Sequence, residues 1–358
     1  MLTIVPLWLM LAAANLSAHA QTSDDVSIPS AAAGAAPSPA DWTQFHRDNM
    51  QRWNQYETVV GVNNAASLGL KWKNPIGEYR NGIESSPAVV NGVVYFGSDE
   101  GTVYALNAST GVRLWSFSTG LGPLYPSPAV ANGVVYIGSE DFNLYALNAS
   151  TGAKLWSFAT GGPVLSSPAV VNGVVYFGSY SFSSLDDNVY ALNANTGAKL
   201  WSYKTESPFH IGYGSPAVAN GVVYIGSLDR NLYALNANTG AKLWSYATGD
   251  EIFDSSPAVA NGVVYVGSQD GNLYALNAST GALIWKYPTG RGASPAVANG
   301  VVYVGSDNSN VYALNASTGA KLWSFTTGGP MDSSPAVANG VVYVGSTNFN
   351  FYAFGLPH

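Results

Sequence analysis

Residues 256–285 read SPAVANGVVYVGSQDGNLYALNASTGALIW. The stretch breaks into four runs of strand-forming residues separated by three turns. SPAVA is a short strand with Pro257 at its start, where the missing N–H removes no ladder bond. Asn261-Gly262 is the dipeptide a tight type I′ hairpin asks for, since both of its central residues need positive φ. VVYVG is β-branched and aromatic and reads as the second strand. SQDG turns into NLYALN, and ASTG turns into ALIWKY. The pair Asp270-Gly271 belongs to the middle turn and is not read as a calcium ligand, because one carboxylate falls far short of the roughly six to eight oxygens that calcium takes.

The same unit recurs along the chain. Its Ser-Pro pairs end at Pro87, Pro128, Pro168, Pro216, Pro257, Pro295 and Pro335. A period of about forty residues with four strand-like runs per unit is the signature of a propeller blade. Six units carry a fourth run, marked by Trp115, Trp156, Trp201, Trp244, Trp285 and Trp323, whereas the seventh ends in FYAFGLPH. The missing run is sought at the other end, where NNAASLGLKWKNPIG places Trp72 in the Trp position. The expectation is an all-β, seven-bladed β-propeller of four-stranded antiparallel blades. An N-terminal strand, Leu70 to Asn74, is expected to complete the C-terminal blade and so remove exposed sheet edges.

Composition agrees with a folded, turn-rich β protein. Of 358 residues, 10% are charged, 13% are aromatic and 39 are glycine. The net charge of −7 argues against a nucleic-acid partner, which needs a basic surface to release counterions from phosphate. Cysteine is absent. That rules out disulfides, thiolate nucleophiles, Cys-ligated metals and covalent haem attachment through CxxCH.

The chain opens with an apolar run, Leu2 to Ala14, followed by Ala18-His19-Ala20. Residues 1–20 read as a cleaved signal peptide, since the run is too short for a membrane span, and imply a periplasmic or secreted protein. Residues 21–40 are small and rich in Pro, Ala and Ser and read as a flexible linker. A lead-in follows over 41–68, and the propeller over 69–356. No transmembrane span is expected, and a monomer is.

At ALNASTGAKLW the sequence resembles the repeat of the pyrroloquinoline-quinone-type (PQQ-like) propellers, with Ala, Thr-Gly and Trp at that family's spacing. DWTQFHRDNMQRWNQ together with NNAASLGLKWK is similar to the lead-in of the same superfamily. The resemblance covers roughly residues 41–356. It implies that Trp72, Trp115, Trp156, Trp201, Trp244, Trp285 and Trp323 dock between blades. It also implies one of two functions: a quinone-dependent alcohol or sugar dehydrogenase, or a non-catalytic propeller of the BamB-like kind. The enzymes resemble one another in holding the quinone with a tryptophan, calcium and, in many, adjacent cysteines. Here no Cys exists, and every Trp beyond residue 53 falls on a docking position.

The copies differ at one end of the blade. The first turn is NG in all seven copies and the third is A(S/N)TG in the six complete ones. The second turn reads DEG, EDF, YSFSSLDD, LDR, QDG, DNS and TNF. Three residues before each Ser-Pro proline stand Glu84, Tyr125, Leu165, Tyr213, Asp254, Gly292 and Asp332. Second turns and blade-to-blade links share one face of a propeller, so that face has specialised. The ligand-binding candidates are Glu84, Tyr125, His210, Tyr213, Arg230, Asp254, Arg291 and Asp332. Glu84, Asp254 and Asp332 begin innermost strands and are expected to ring the channel mouth. No catalytic residue and no metal site is assigned. The expected function is a binding or scaffold propeller for a protein, peptide or small ligand, with no cofactor. The alternative is a dehydrogenase carrying pyrroloquinoline quinone and calcium.

Overall fold

The computed structural model describes residues 53–54, 70–76, 82–120, 122–180, 186–205, 211–291, 294–331, 333–338, 341–348 and 350–355. The expected signal and linker and most of the expected lead-in lie outside them. The described residues form strands and turns, arranged as seven four-stranded sheets. The first blade runs through Ala88–Val90, Val93–Gly97, Thr102–Asn107 and Arg113–Ser118 as an antiparallel meander. Five further blades repeat that plan, with inner strands Ala129–Ala131, Ala169–Val171, Ala217–Ala219, Ala258–Ala260 and Ala296–Ala298. Each inner strand lies beside that of the next blade in chain order.

The first turn is built as its dipeptide demands. Asn261 has φ 49° and Gly262 φ 76°, and the same pair of positive values recurs from Asn91-Gly92 to Asn299-Gly300. The third strand meets the outer one through a β-bulge in every complete blade, as between Ala105 and Leu106. The bulged residue is turned out to solvent, so Leu114 and Leu200 are exposed while Trp115 and Trp201 are buried.

Two sets of contacts join the blades. On the inner side the serines before proline form a circumferential chain. Ser86 N–H donates to Ser127 Oγ, and Ser127, Ser167, Ser215 and Ser256 each donate to the serine of the blade that follows, at 2.8–2.9 Å. On the outer side the indoles of the first five blades lie over the glycine of the next blade's third turn. Trp201 Nε1–H donates to Ala237 O at 2.9 Å, and a Cβ on Gly240 would stand 2.6 Å from the indole ring. The same carbonyl accepts Tyr176 Oη–H at 3.2 Å, so both of its lone pairs are used. Trp115, Trp156, Trp244 and Trp285 repeat the arrangement. Between these contacts Val, Leu, Ala and Tyr from facing blades make the apolar core.

The C-terminal blade departs from expectation in detail. Its strands are Ala336–Ala338, Val341–Gly345 and Phe351–Phe354, and an N-terminal strand does complete its sheet. That strand is Trp53–Asn54, pairing parallel to Ala336–Ala338 on the inner side. Leu70 to Asn74, expected in the outer place, form no strand. They are held by side chains instead: Trp72 Nε1–H donates to Ala108 O at 2.8 Å and Asn74 Nδ2–H to Gly111 O at 2.6 Å. Trp72 thus takes the same seat on the first blade that Trp115 takes on the second. Trp323, in the sixth outer strand, meets Phe354 edge-on at 4.8 Å and stays 37% exposed.

Candidate binding face at the second turns and blade links

At the end carrying the first and third turns, every repeated letter has a use. Asn277 Oδ1 accepts the N–H groups of Ser279 and Thr280 at 3.0 Å, and Thr280 Oγ1 accepts that of Ala282. Gly281 holds φ 73° beneath Trp244. Changing the Asn, Thr or Gly there removes a turn bond or an inter-blade contact, which accounts for the uniformity of those positions.

The second turns are less free than their spelling suggests. Four residues before the third-strand tyrosine, every blade carries Asp, Asn or Glu, and its side chain meets the phenol. Tyr145 donates to Asp141, Tyr233 to Asp229 and Tyr274 to Asp270, each at 2.5 Å, and Tyr190 reaches both oxygens of Asp186 at 2.9 Å. Glu100 serves Tyr104, while Asn308 and Asn348 donate to Tyr312 and Tyr352. Asp270 also accepts from Asn272 N–H at 3.0 Å and Gly249 N–H at 3.1 Å. Burial alone would raise its pKa, but the bonds from Tyr274, Asn272 and Gly249 outweigh it and hold the carboxyl below its usual value. Sequence reading missed this acid–tyrosine clasp; the constant four-residue spacing to the tyrosine was the available signal.

What varies is therefore the residue on either side of the clasp and the link. One flanking position is left-handed in five blades. Gly101 and Gly271 fill it without strain, but Phe142, Arg230 and Ser309 sit there at φ 71°, 72° and 68°.

Of the candidate residues, Glu84, Arg230, Asp254 and Arg291 are exposed, and Tyr125 is 38% exposed. Arg230 Nε lies 3.9 Å from Asp250, an exposed pair of small energetic value. Tyr213 is half-buried in an aromatic cluster. Its ring stacks on Tyr180 at 5.6 Å and meets Phe253 edge-on at 5.0 Å, over Leu165 and Leu228. Burial, then the charges of Asp254 and Glu140, push the Tyr213 phenol up. Burial, then Glu140, Glu84, Asp99 and Tyr213, do the same to Tyr125. The structure thus brings Glu84, Tyr125, Tyr213 and Asp254 into one electrostatic neighbourhood and adds Asp99, Glu140 and Phe253 to it. His210 and Asp332 lie outside the described residues.

A calcium-held quinone would need convergent donors. Among the described residues no group of three or more His, Cys, Asp or Glu could hold a metal ion, and the described outer-strand indoles are engaged at blade interfaces or on Phe354. The described residues do not fit that group. Nor, among them, is any helix long and apolar enough to cross a membrane.

Among solved structures the fold is shared with BamB from Moraxella catarrhalis, at 22% identity and TM-score 0.64, covering 75% of this chain and 80% of that one. It is also shared with a europium-containing methanol dehydrogenase, at 15% identity and TM-score 0.77, covering 89% and 86%. Curated relatives match locally. Lupanine 17-hydroxylase of Pseudomonas sp is 31% identical over 24% of this chain, and quinohemoprotein alcohol dehydrogenase of Comamonas testosteroni is 30% identical over 31%. Those matches span only 12% and 17% of the relatives' own lengths. The family profile for outer membrane protein assembly factor BamB matches residues 54–126, 99–211, 168–294 and 288–355. Repeat, blade plan and profile agree: the chain belongs to the BamB family of PQQ-like propellers.

Proposed function

We propose that this chain is a non-catalytic binding propeller, periplasmic or secreted, that holds a protein partner on the face formed by its second turns and links. The observation that carries this reading is the contrast between the two ends of the blades. One end repeats the same turns and the same exposed leucines, Leu114, Leu155, Leu200 and Leu243, in blade after blade, while the other varies from copy to copy and exposes Tyr125 and Phe142 beside carboxylates. Exposed aromatic side chains rimmed by polar groups are the usual mark of a protein-binding surface. The family's name, an outer membrane protein assembly factor, supports a protein as the partner.

A photo-crosslinking phenylalanine at Tyr125, set against one at Ser150 on the opposite end, tests the reading in cells. A discrete adduct from position 125 and none from 150 is the expected result. Equal adducts from both ends would overturn it. The likeness of fold to quinone dehydrogenases is the ground for the second reading, a pyrroloquinoline-quinone and calcium enzyme. Saturable quinone binding with dye-linked alcohol oxidation would establish that reading in place of the first.

A further inference from the structure

The carboxylates of this propeller are sorted by face, and Lys204, Arg230 and Arg291 share that face without balancing them. Every Asp and Glu among the described residues, from Glu84 to Asp307, lies in a second turn or a link. Arg113, Lys154, Lys199, Lys242 and Lys321 open the outer strands at the opposite end. A distribution of this kind gives the molecule a negative pole at the variable face, where a partner's charge is felt before contact.

An aromatic surface sits at that pole. Tyr125 is 38% and Phe142 46% exposed, and Tyr213 and Phe253 meet edge-on over the links that follow the third and fourth blades. Phe142 occupies a left-handed position that Gly101 and Gly271 fill elsewhere, so its side chain is not there for the sake of the backbone. Glu140 lies in the same second turn as Phe142 and against the link that carries Tyr125, since a Cβ on Gly122 of that link would overlap its carboxylate, and its charge is felt by both Tyr125 and Tyr213.

Resting on the partner-binding reading above, we propose that this face docks a cationic, aromatic-bearing peptide segment of the partner. Its apolar side chains lie on Tyr125, Phe142, Tyr213 and Phe253, and its Lys or Arg side chains face Glu84, Glu140 and Asp254. Aromatic faces beside carboxylates suit such a segment doubly, since the rings take both its apolar and its cationic side chains. An acidic or neutral segment would meet the same rings but be repelled or left unguided by the rim.

The probe is a nonapeptide alternating Lys and Phe, titrated calorimetrically into the full chain, with Glu–Phe and Lys–Ser peptides as controls. The Lys–Phe peptide should bind saturably and weaken as salt rises from about 50 to about 300 mM. The triple variant Glu84→Gln, Glu140→Gln, Asp254→Asn should weaken it about tenfold or more, and Tyr213→Ala should weaken it too. Lys154→Gln with Lys199→Gln should leave it unchanged. Equal binding of the Glu–Phe peptide, or full affinity in the triple variant, would overturn the proposal. Circular dichroism checks folding, and Glu84→Gln alone carries the test if the triple variant loses its β signal. Crosslinking separates the two readings. An adduct at position 125 that survives the triple variant leaves partner binding standing and removes the cationic segment, whereas absence of any adduct in the parent removes both.

Discussion

Truncating two tryptophans at the same place in two blades should give very different losses. Trp201 is 8% exposed, its N–H is bonded to Ala237 O, and its ring covers Gly240 and packs near Tyr176 at 6.0 Å. Trp201→Ala removes a buried indole whose surroundings are strands that cannot collapse inward, so the loss should be about 3–5 kcal/mol. Packing accounts for nearly all of it. Ala237 O keeps its bond from Tyr176 and is not orphaned, so the usual penalty of an unsatisfied buried carbonyl does not arise. Trp323, 37% exposed and resting on Phe354, has no glycine-floored seat of that kind, and Trp323→Ala should cost about 1 kcal/mol.

The glycine beneath the ring supplies the internal check. Gly240 holds φ 71°, and a methyl there would stand 2.6 Å from the indole. Gly240→Ala should therefore cost about 2 kcal/mol or more, part from the left-handed backbone and part from overpacking. In the double variant Gly240→Ala, Trp201→Ala the overlap is gone, and the combined loss should fall short of the sum by about 1–2 kcal/mol. Urea melts followed by circular dichroism measure all four proteins. A Trp201→Ala loss under about 1 kcal/mol, or losses equal at positions 201 and 323, would refute the reasoning.

Two further outcomes follow from the core. Tyr95, Tyr136, Tyr224 and Tyr265 are each pushed by burial from 10.0 to about 12, so the folded chain keeps phenol protons that the unfolded chain gives up. Their stabilisation is whole below pH 10 and is lost as pH rises toward about 12; tyrosinate absorbance should appear together with loss of the β signal, and titration of all tyrosines near pH 10 in a still-folded protein would contradict it. Ser215→Ala removes the acceptor of Ser167 N–H from the inner serine chain and should cost about 1–2 kcal/mol in the same melts, with an unchanged midpoint telling against that chain as a structural bond.

The blade was legible because each of its parts is local. Asn-Gly specifies its hairpin within two residues, and alternation specifies a strand within five, so repetition merely multiplied a reading already sound in one copy. The closing strand was misplaced for a related reason. LGLKWKNP spells an outer strand, and Trp72 does take the indole seat, but the seat and the ladder are separate interactions. Trp72 and Asn74 anchor the segment to the third turn of the first blade through side chains, and that requires no strand pairing. A motif carrying a docking contact reports the contact; whether a ladder forms beside it depends on a partner strand far away in sequence.

The binding face was harder to read because constraint and freedom alternate within three or four residues there. Treating QDG or LDR as a free word hid the acid that clasps the tyrosine four residues on. Once that residue is assigned to the scaffold, the positions left over are its neighbours, such as Glu140, Phe142 and Arg230, and the links. Nothing periodic sets which of these meet. Tyr125 and Tyr213 come from links that are two blades apart, and both feel the charge of Glu140. Each link has its own sequence, and one blade carries the extension that separates Pro168 from Pro216. The repeat therefore tells where a site can be built, and only the non-repeating links decide which side chains build it. For that reason a charge or aromatic change at Tyr125 or Glu140 should alter binding while leaving the melting transition in place, and a change at Asp270 or Trp201 should do the reverse.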